Sequence, residues 1–283
     1  MPELSDLEVI KENLKPKITG KKITEVKVFQ PATIKTFFPE ITSLIGDAFS
    51  DVSRRGKHLV FPLTSGLFFA AHLKLAGSFA FLPSEERISK PTALALGFSG
   101  GNDLRLLEPG YKKLAAIYLV SDPNQIPGIK NAGLEPLDPG FSEEDFSKLL
   151  LKSRKRLKSF LTDQKLIAGI GNAYSDEILF EARLSPTKIT STLTPEEISR
   201  LRRAIPKVLT WAIKEIKTRL GEDLPERSVR DFLKVHGRFK EPCYVCGTPI
   251  AEISYRDRST NYCPFCQTGG NLLADRRYSR FLK

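Results

Sequence analysis

Residues 243–266 read CYVCGTPIAEISYRDRSTNYCPFC, and they hold all four cysteines of the chain. Two C-x-x-C pairs, Cys243 with Cys246 and Cys263 with Cys266, are separated by 16 residues. This spacing matches a four-thiolate zinc site in an intracellular protein, because soft thiolates suit tetrahedral Zn²⁺. A redox pair or incidental thiols are the alternative. The doubled spacing, with a glycine after the first pair and a proline inside the second, favours one structural zinc ion in a small hairpin module.

Outside this module the composition is that of an ordinary globular protein. The 283 residues are 41% hydrophobic and 27% charged. Domains commonly hold roughly 100–200 residues, so we expect two compact units. No apolar run approaches the ~18 residues that a membrane span requires, and the first six residues lack the basic and then apolar pattern of a secretory signal. We therefore expect a soluble cytoplasmic protein without a membrane partner.

The charge balance points to a polyanion as the partner. The chain has 44 Lys and Arg against 33 Asp and Glu, a formal net charge of +11. Phosphate neutralisation by such residues supplies most of the non-specific affinity of proteins for DNA. A solvated helix face is the alternative for any one basic cluster. The zinc module strengthens the DNA interpretation, because Arg256 and Arg258 just ahead of Cys263 would present guanidinium groups on a rigid tip.

Short strands follow one helix in the first half of the chain. Leu7, Ile10 and Leu14 form an apolar stripe on a helix that Pro16 and Gly20 terminate. Frequent Gly and Pro between the strands then indicate a β-sandwich. The strand-like runs are residues 24–28, 58–61, 67–71 and 115–120.

Helical periodicity takes over from about residue 141. Ser142 with Asp145 and the run from Thr194 to Glu197 both resemble helix-capping boxes. Between these two starts, residues 169–172 read Gly-Ile-Gly-Asn, a tight turn that leads into a further helical segment. The fold class is therefore α+β, with a leading helix and sandwich before a helical region and the zinc hairpin.

The second residue is a candidate nucleophile. Removal of Met1 would leave Pro2 as the N-terminus, with a secondary amine whose α-amino pKa is about 7.7–8.0, far below that of lysine. Glu3 beside it could donate and accept a proton. The alternative is an ordinary helix start, with proline at the first helical position and an acid that favours the helix dipole.

Five motifs in this order resemble the formamidopyrimidine-DNA glycosylase and endonuclease VIII family of base-excision repair enzymes. The resemblance runs from Pro2 to Gln267 and implies a helix-two-turn-helix in the helical region. The motifs are Pro2-Glu3-Leu4 with Glu8, Arg54-Arg55-Gly56-Lys57, His72-Leu-Lys-Leu-Ala-Gly77, Gly169-Ile-Gly-Asn-Ala-Tyr-Ser-Asp-Glu-Ile-Leu-Phe180 and Arg258-Ser-Thr-Asn-Tyr-Cys-Pro-Phe-Cys-Gln267.

The resemblance assigns catalytic roles at the N-terminus. It implies that the amine of Pro2 attacks C1′ of a damaged nucleotide, which expels the base and leaves a Schiff base, and that β,δ-elimination then cuts the strand. Glu3 would help to open the sugar ring by proton transfer. Lys57 would approach the phosphate of the lesion, where its charge stabilises the scissile ester. Glu8 and Glu135 match carboxylates that help to shape the site of the family.

Four further residues match DNA contacts of the family. Phosphates would be held by His72, Asn172 and Arg258, and Lys158 resembles a lysine that faces DNA. Asn172 follows a glycine turn at a helix start, where N–H groups and the dipole attract an anion, and arginine offers a rigid fork of donors. Without the resemblance, Asn172 could simply cap a helix and His72 could be a core histidine.

The sequence departs from the family pattern where the flipped base leaves a void. Leu75 stands before Ala76-Gly77 where many relatives have methionine, a conservative apolar wedge. The Arg and Phe that usually follow an Asp-Pro are absent, since residues 108–113 read EPGYKK. We expect Tyr111 to serve as the aromatic wedge; the alternative is a surface turn residue.

A second departure concerns the substrate. Only Lys234 lies between residues 230–233 and residues 235–238, where relatives that recognise 8-oxoguanine carry a longer loop that closes over the base. We therefore expect ring-opened purines, oxidised pyrimidines, hydantoins or abasic sites to be preferred over 8-oxoguanine opposite cytosine.

Taken together, the expected protein is a monomeric, bifunctional glycosylase and abasic-site lyase that binds damaged double-stranded DNA. A non-catalytic zinc-containing damaged-DNA-binding protein is the alternative, and an RNA-binding protein is a further one without a supporting signature. The expected domains are a catalytic sandwich at 1–130, a helix-two-turn-helix at 131–225, a zinc finger at 226–267 and a basic tail at 268–283 that packs on the finger with some phosphate contact.

Overall fold

The structure is a computed structural model that describes residues 1–111, 114–255 and 258–274, except for the side chains of Tyr255 and Arg258. The chain forms two compact units. The first comprises Met1–Ala132 and Ile213–Val229, and the second comprises Gly133–Ala212 and Arg230–Lys283. The tail residues 275–283, Arg256 and the side chain of Arg258, for which the sequence predicts DNA contacts, lie outside the described part.

The first unit is a sandwich of two antiparallel four-stranded sheets with a leading helix. One sheet has the strand order β1-β6-β7-β5 and the other β2-β3-β4-β8. The elements are helix α1 (Leu4–Ile18), strands β1 (Ile23–Val28), β2 (Ser53–Arg55), β3 (His58–Pro62), β4 (Phe68–His72), β5 (Ser78–Pro83), β6 (Thr92–Phe98), β7 (Asn102–Leu107) and β8 (Ala116–Val120), and the short helix α2 (Pro127–Lys130).

Alternating side chains give the second sheet two buried faces. Leu59 and Phe61 of β3 and Phe69 of β4 point into the main core, which they share with β6, β7 and the apolar stripe of α1. Val60 and Ala70 point the other way, against a smaller cluster that includes two isoleucines around α2. The α2 segment thereby covers the outer face of the sheet, next to the start of β3.

The returning segment 213–229 completes the first unit. Asn13 of α1 donates through its side-chain amide to the carbonyl oxygens of Gly221 and Asp223, at 2.9 and 2.8 Å. Lys217 pairs with Glu12, and Leu224 packs against the main core. Polar and apolar contacts therefore both hold this segment on the first unit.

The second unit is helical and carries the hairpin. Its helices are α3 (Glu143–Lys152), α4 (Leu157–Leu161), α5 (Asn172–Glu181), α6 (Pro195–Leu220, which ends in the first unit) and α7 (Pro264–Thr268), and its strands are β9 (Ala251–Tyr255) and β10 (Arg258–Tyr262). Both predicted helix starts are present. Ser142 accepts the Asp145 N–H at 3.0 Å, and Thr194 and Glu197 form a reciprocal capping box.

Of the two residues predicted to terminate helix α1, Gly20 does so and Pro16 does not, so the Pro16 prediction is wrong. Helix α1 runs through Pro16, because the Thr19 N–H still bonds to the Lys15 carbonyl. The helix ends at Ile18, and Gly20 then takes a left-handed conformation with φ of 75°. Proline lacks an N–H but does not prevent the last turn of the helix from closing around it. The α+β class predicted from the sequence is confirmed.

Candidate functional site

The N-terminal residues precede helix α1 instead of forming its first turn. Glu3 is the N-cap residue, its N–H donates to Asp6 Oδ2 at 2.7 Å, and it is only 3% exposed. Pro2 therefore lies before the cap, and not at the first helical position where an ordinary helix-start proline would be. The hydrogen bond between Glu3 and Asp6 fixes the direction in which Pro2 leaves the helix.

An ion pair connects helix α1 to the turn that carries Lys57. Glu8 Oε1 accepts from Arg54 Nε at 2.6 Å, and Arg54 Nη1 also donates to the carbonyl of Gly56 at 2.8 Å. Burial raises the pKa of Glu8, but hydrogen bonds from Lys11 and Arg54 outweigh it, so the net pKa lies below the ordinary value. Lys57 lies in this turn and is 8% exposed. The carboxylate is thus ionised at neutral pH and holds the turn on α1.

Two histidine rings lie together beside Lys57. The rings of His58 and His72 meet edge to face, with centroids 4.6 Å apart. Burial and the charge of Lys74 lower the pKa of His58 to about 4, and burial with the neighbouring His58, Lys74 and Lys57 lowers that of His72 to about 2. His72 Nδ1 accepts the Lys74 N–H at 3.0 Å. The neutral ring therefore carries its proton on Nε2, which makes Nε2 a hydrogen-bond donor.

The two candidate wedge residues lie at the tips of two loops of the first unit. Leu75 is 56% exposed on a turn closed by a hydrogen bond from the Gly77 N–H to the Leu73 carbonyl. Any side chain at Gly77 would begin 2.6 Å from that carbonyl oxygen, so the turn requires glycine there. Leu75 is therefore presented by a backbone with little freedom.

Tyr111 is fully exposed on the loop between β7 and β8. The base of this loop is held by Glu108, whose Oε1 accepts the N–H groups of Leu114 and Ala115 at 2.8 and 2.7 Å. A buried carboxylate with two backbone donors forms a fixed base, so the residues at the tip can differ without disturbing the sheet.

In the second unit the four cysteines converge. Their Sγ atoms all lie within 4.8 Å of one another, and Cys246 Sγ is 3.5 Å from Cys263 Sγ. Tetrahedral zinc with bonds of about 2.3 Å places thiolates about 3.8 Å apart, so the set fits the ion. Burial raises the pKa of Cys263 to about 11 and also raises that of Cys266, whereas hydrogen bonds from Thr248 lower the pKa of Cys246 to about 6. A bound cation would neutralise the thiolates and so stabilise their deprotonated form. The predicted structural zinc is supported by this arrangement.

The glycine turn ahead of α5 is braced by a side chain that the sequence did not single out. Gln164 Oε1 accepts the Gly169 N–H at 2.9 Å, and its Nε2 donates to the Ile170 carbonyl at 2.7 Å. Gly171 is the N-cap residue, so Asn172 does not cap the helix. Among the described residues the buried Asn172 Oδ1 has no hydrogen-bond partner. The amide side chain is thus held at a helix N-terminus without an internal capping role.

Lys158 is buried within the second unit. Its ammonium donates to Asp176 Oδ1 at 2.6 Å and to the carbonyl oxygen of Ser259 at 2.8 Å, and the residue is 9% exposed. Glu135 lies where the chain enters this unit, after a stretch in which Leu134 bridges to Ile167. The sequence-predicted residues therefore form two sets, one in each unit.

Several polar residues at these sites were not identified from the sequence. They are His58, Gln164, Asp176 and Glu177. One pattern in the sequence could have indicated two of them. Asp176 and Glu177 are adjacent acids in the middle of α5, and the positions around them are apolar or small. Acids in such surroundings are buried, and buried acids need polar partners.

The described residues contain no helix that is both long and apolar enough to cross a membrane.

Three family sequence models match the chain. The formamidopyrimidine-DNA glycosylase N-terminal domain matches residues 1–110, the H2TH domain of the same family matches residues 132–222, and a zinc finger found in FPG and IleRS matches residues 240–269.

Relatives match over nearly the whole chain. A formamidopyrimidine-DNA glycosylase of Listeria innocua is 34% identical over 275 residues, which cover 94% of this chain and all of the relative. One from Enterococcus faecalis is 35% identical over 277 residues, covering 94% of this chain and 97% of the relative.

Solved structures give the same picture. Lactococcus lactis Fpg in complex with DNA containing an abasic site superposes with a TM-score of 0.85 at 30% identity, over 94% of this chain and 99% of that one. MutM (Fpg) of Thermus thermophilus gives a TM-score of 0.83 at 33% identity, over 96% of this chain and all of that one.

Proposed function

This chain belongs to the formamidopyrimidine-DNA glycosylase family, and we propose that it excises oxidised or ring-opened bases from double-stranded DNA through a Schiff base on Pro2. The family is one of bifunctional glycosylase and abasic-site lyase enzymes, and the predicted function agrees with its relatives. We further propose that the protein works as a monomer in the cytoplasm, associated with the nucleoid if bacterial.

In this proposal the chemistry begins at the N-terminal amine. The nitrogen of Pro2, freed by removal of Met1, forms a bond to C1′ while the bond from C1′ to the base breaks and its electron pair leaves with the base. Glu3 transfers a proton to the ring oxygen as the sugar opens. Lys57 stabilises negative charge on the phosphate during the eliminations that follow.

The observation that carries the proposal is the ion pair between Glu8 and Arg54. It joins the helix that follows Pro2 and Glu3 to the turn that carries Lys57. Both Glu3 and Lys57 are buried, although charged residues are rarely buried without a structural or functional reason. A non-catalytic damaged-DNA-binding protein on the same scaffold would have no need of Pro2, Glu3 and Lys57. All three are present, so the enzyme is favoured over that alternative.

Phosphate binding is assigned to residues of both units. His72 would contribute a neutral donor from Nε2, and Asn172 an amide at a helix N-terminus. Arg258, at the start of β10, would contribute a guanidinium, with the zinc holding its hairpin rigid. When bound, the ion supplies no chemistry beyond neutralising and holding the four thiolates.

The segment that replaces the long loop of some relatives supports the proposed preference against 8-oxoguanine. The N–H groups of Lys234, Val235 and His236 all donate to Glu177, and the ammonium of Lys234 lies 4.7 Å from the ring centroid of Trp211. A segment held in this way has little freedom to close over a flipped base. Faster turnover of 8-oxoguanine than of a ring-opened purine in parallel assays would contradict the preference.

Covalent trapping tests the central proposal. Borohydride should reduce the Schiff base and attach the processed wild-type protein to an oligonucleotide that holds an abasic site. Pro2→Gly should trap far more slowly while it still binds the same duplex, because the secondary amine is replaced and the phosphate ligands are kept. Intact-protein mass spectrometry should show that Met1 is absent. Failure of the processed wild-type protein to trap would refute the mechanism.

A further inference from the structure

On one edge of the hairpin in the second unit, no strand of the described part of the chain pairs with β10, and this edge meets an ion pair. In β10 the Ser259 carbonyl accepts from Lys158 Nζ at 2.8 Å, and the Asn261 N–H donates to Asp176 Oδ2 at 3.2 Å. These backbone groups, two residues apart, are the ones that a neighbouring strand would otherwise satisfy. Lys158 and Asp176 are themselves paired at 2.6 Å. The ion pair therefore takes the place of a strand, with the cation on the carbonyl and the carboxylate on the amide.

Asp176 is buried and has further partners. It is 1% exposed, and its Oδ2 lies 2.8 Å from His236 Nδ1. The next residue, Glu177, holds the backbone of residues 234–236, which lead into the finger. Two consecutive carboxylates of α5 thus fix both the hairpin and the segment before it. Buried carboxylates with this many donors allow little displacement of either.

Helix α5 also begins at Asn172, one helical turn before Asp176. Arg258 is the residue directly before Ser259. One end of α5 therefore carries one proposed phosphate ligand, and its middle holds the strand that carries another. The spacing between the two ligands is set through the ion pair before any DNA is bound.

We propose that the Lys158–Asp176 pair is a positioning device that holds β10 at a fixed distance from the N-terminus of α5, so that Asn172 and Arg258 can bind phosphates of one DNA molecule together. Lys158 then contributes to DNA binding through the hairpin and not by a contact of its own. This inference rests on the proposed DNA-binding function. Binding sites that are ordered beforehand avoid the entropic cost of ordering on association.

Asp176→Asn separates positioning from simple charge. The substitution removes one negative charge, which by itself would strengthen binding to a polyanion. Positioning predicts the opposite, a dissociation constant about tenfold weaker for a duplex that contains a tetrahydrofuran abasic analogue. The rate of borohydride trapping at saturating DNA, which depends on Pro2 in the other unit, should stay within about twofold of wild type.

Asp163→Asn is the matched control. It removes the carboxylate of a solvent-exposed pair with Lys155 in the same unit, so binding should be unchanged or slightly tighter. Lys158→Met should weaken binding in the wild-type background but add almost nothing to Asp176→Asn, because both substitutions remove the same device. Each variant is checked for bound zinc. Binding by Asp176→Asn as tight as wild type, or equal losses from Lys158→Met in both backgrounds, would overturn the proposal.

Hydrogen exchange in the DNA-free protein gives a second measurement. Both Asp176→Asn and Lys158→Met should accelerate exchange of the β10 amides while the first unit is unchanged. If Asp176→Asn loses its zinc, Lys158→Met decides alone. If Lys158→Met binds DNA more weakly while hydrogen exchange of its β10 amides is unchanged, Lys158 is a direct phosphate ligand and the positioning role is refuted. A wild-type protein that binds the duplex but does not trap would instead contradict the proposed function and leave this test intact.

Discussion

Acidification should destabilise the first unit through its two histidines. His58 is buried and His72 is half-buried against it, and neither accepts a proton readily in the folded state. In the unfolded chain both would titrate near the ordinary pKa of 6.5. The unfolded state therefore binds more protons below that value, and the free energy of unfolding must fall as the pH falls.

The size of this effect follows from the two pKa values. With 6.5 in the unfolded state and about 4 in the folded state, His58 lowers the free energy of unfolding by about 2 kcal/mol between about pH 7.5 and about pH 5. His72 adds a similar amount, so the two together account for about 3–4 kcal/mol. Glu8 does not contribute in this window, because its stabilisation is lost only below the ordinary glutamate pKa. Burial raises the pKa of Glu177, so protonation of this carboxylate stabilises the folded state as the pH falls, opposite to the effect of the histidines. We therefore compare the pH dependence of a variant with that of the wild type.

The assay compares urea unfolding of the wild type and His58→Asn at both pH values. The variant should lose about 2 kcal/mol of the pH-dependent change, whatever its absolute stability. Tyr118→Phe is the matched control, since Tyr118 lies in the same cluster and does not ionise in this range. The chain has only three histidines, so their NMR titrations can be followed one by one. A His58 resonance that titrates near the ordinary value, or a variant with an unchanged pH dependence, would refute the reasoning.

Three further outcomes are expected. Gly128→Ala should destabilise the protein by about 1–3 kcal/mol in thermal unfolding instead of stabilising a helix, because its Cβ would begin 2.4 Å from His58 Cε1. Tyr111→Ala should slow base excision from duplex DNA but leave strand cleavage at a preformed single-stranded abasic site near wild type, since only the duplex has a void to fill. Cys263→Ser, or removal of zinc by a chelator, should abolish tight DNA binding measured by anisotropy while circular dichroism shows that the β-sandwich remains folded.

Local patterns predicted the features that depend on neighbouring residues in the chain. The stripe of Leu7, Ile10 and Leu14 is buried as expected, and the capping boxes begin α3 and α6 where they were predicted. The zinc ligands were identified because their chemistry and spacing are unusual. The family resemblance was specific for the same reason, since it rested on short motifs and not on overall composition.

The features that could not be predicted from the sequence depend on contacts between residues far apart in the chain. Strand β6 (Thr92–Phe98) is buried on both faces, so it lacks the alternation by which strands are identified. From the sequence alone, Arg105 would be placed on the surface, because arginine is usually exposed. In the structure it is 1% exposed, and its guanidinium donates to Asp103 and to three carbonyl groups. Lys158 and Ser259 are about a hundred positions apart in the chain, and no local pattern links them.

The division of the chain has a consequence for its synthesis. A ribosome that has released residues 1–132 has made all eight strands of the sandwich, yet the acceptors for the Asn13 amide and the apolar side chain of Leu224 still lie about ninety residues ahead. The first unit is thus the first to begin folding and cannot be finished until most of the second has emerged. A fragment cut after the sandwich would lack part of its own structure, so the two units cannot be exchanged between proteins by a single crossover.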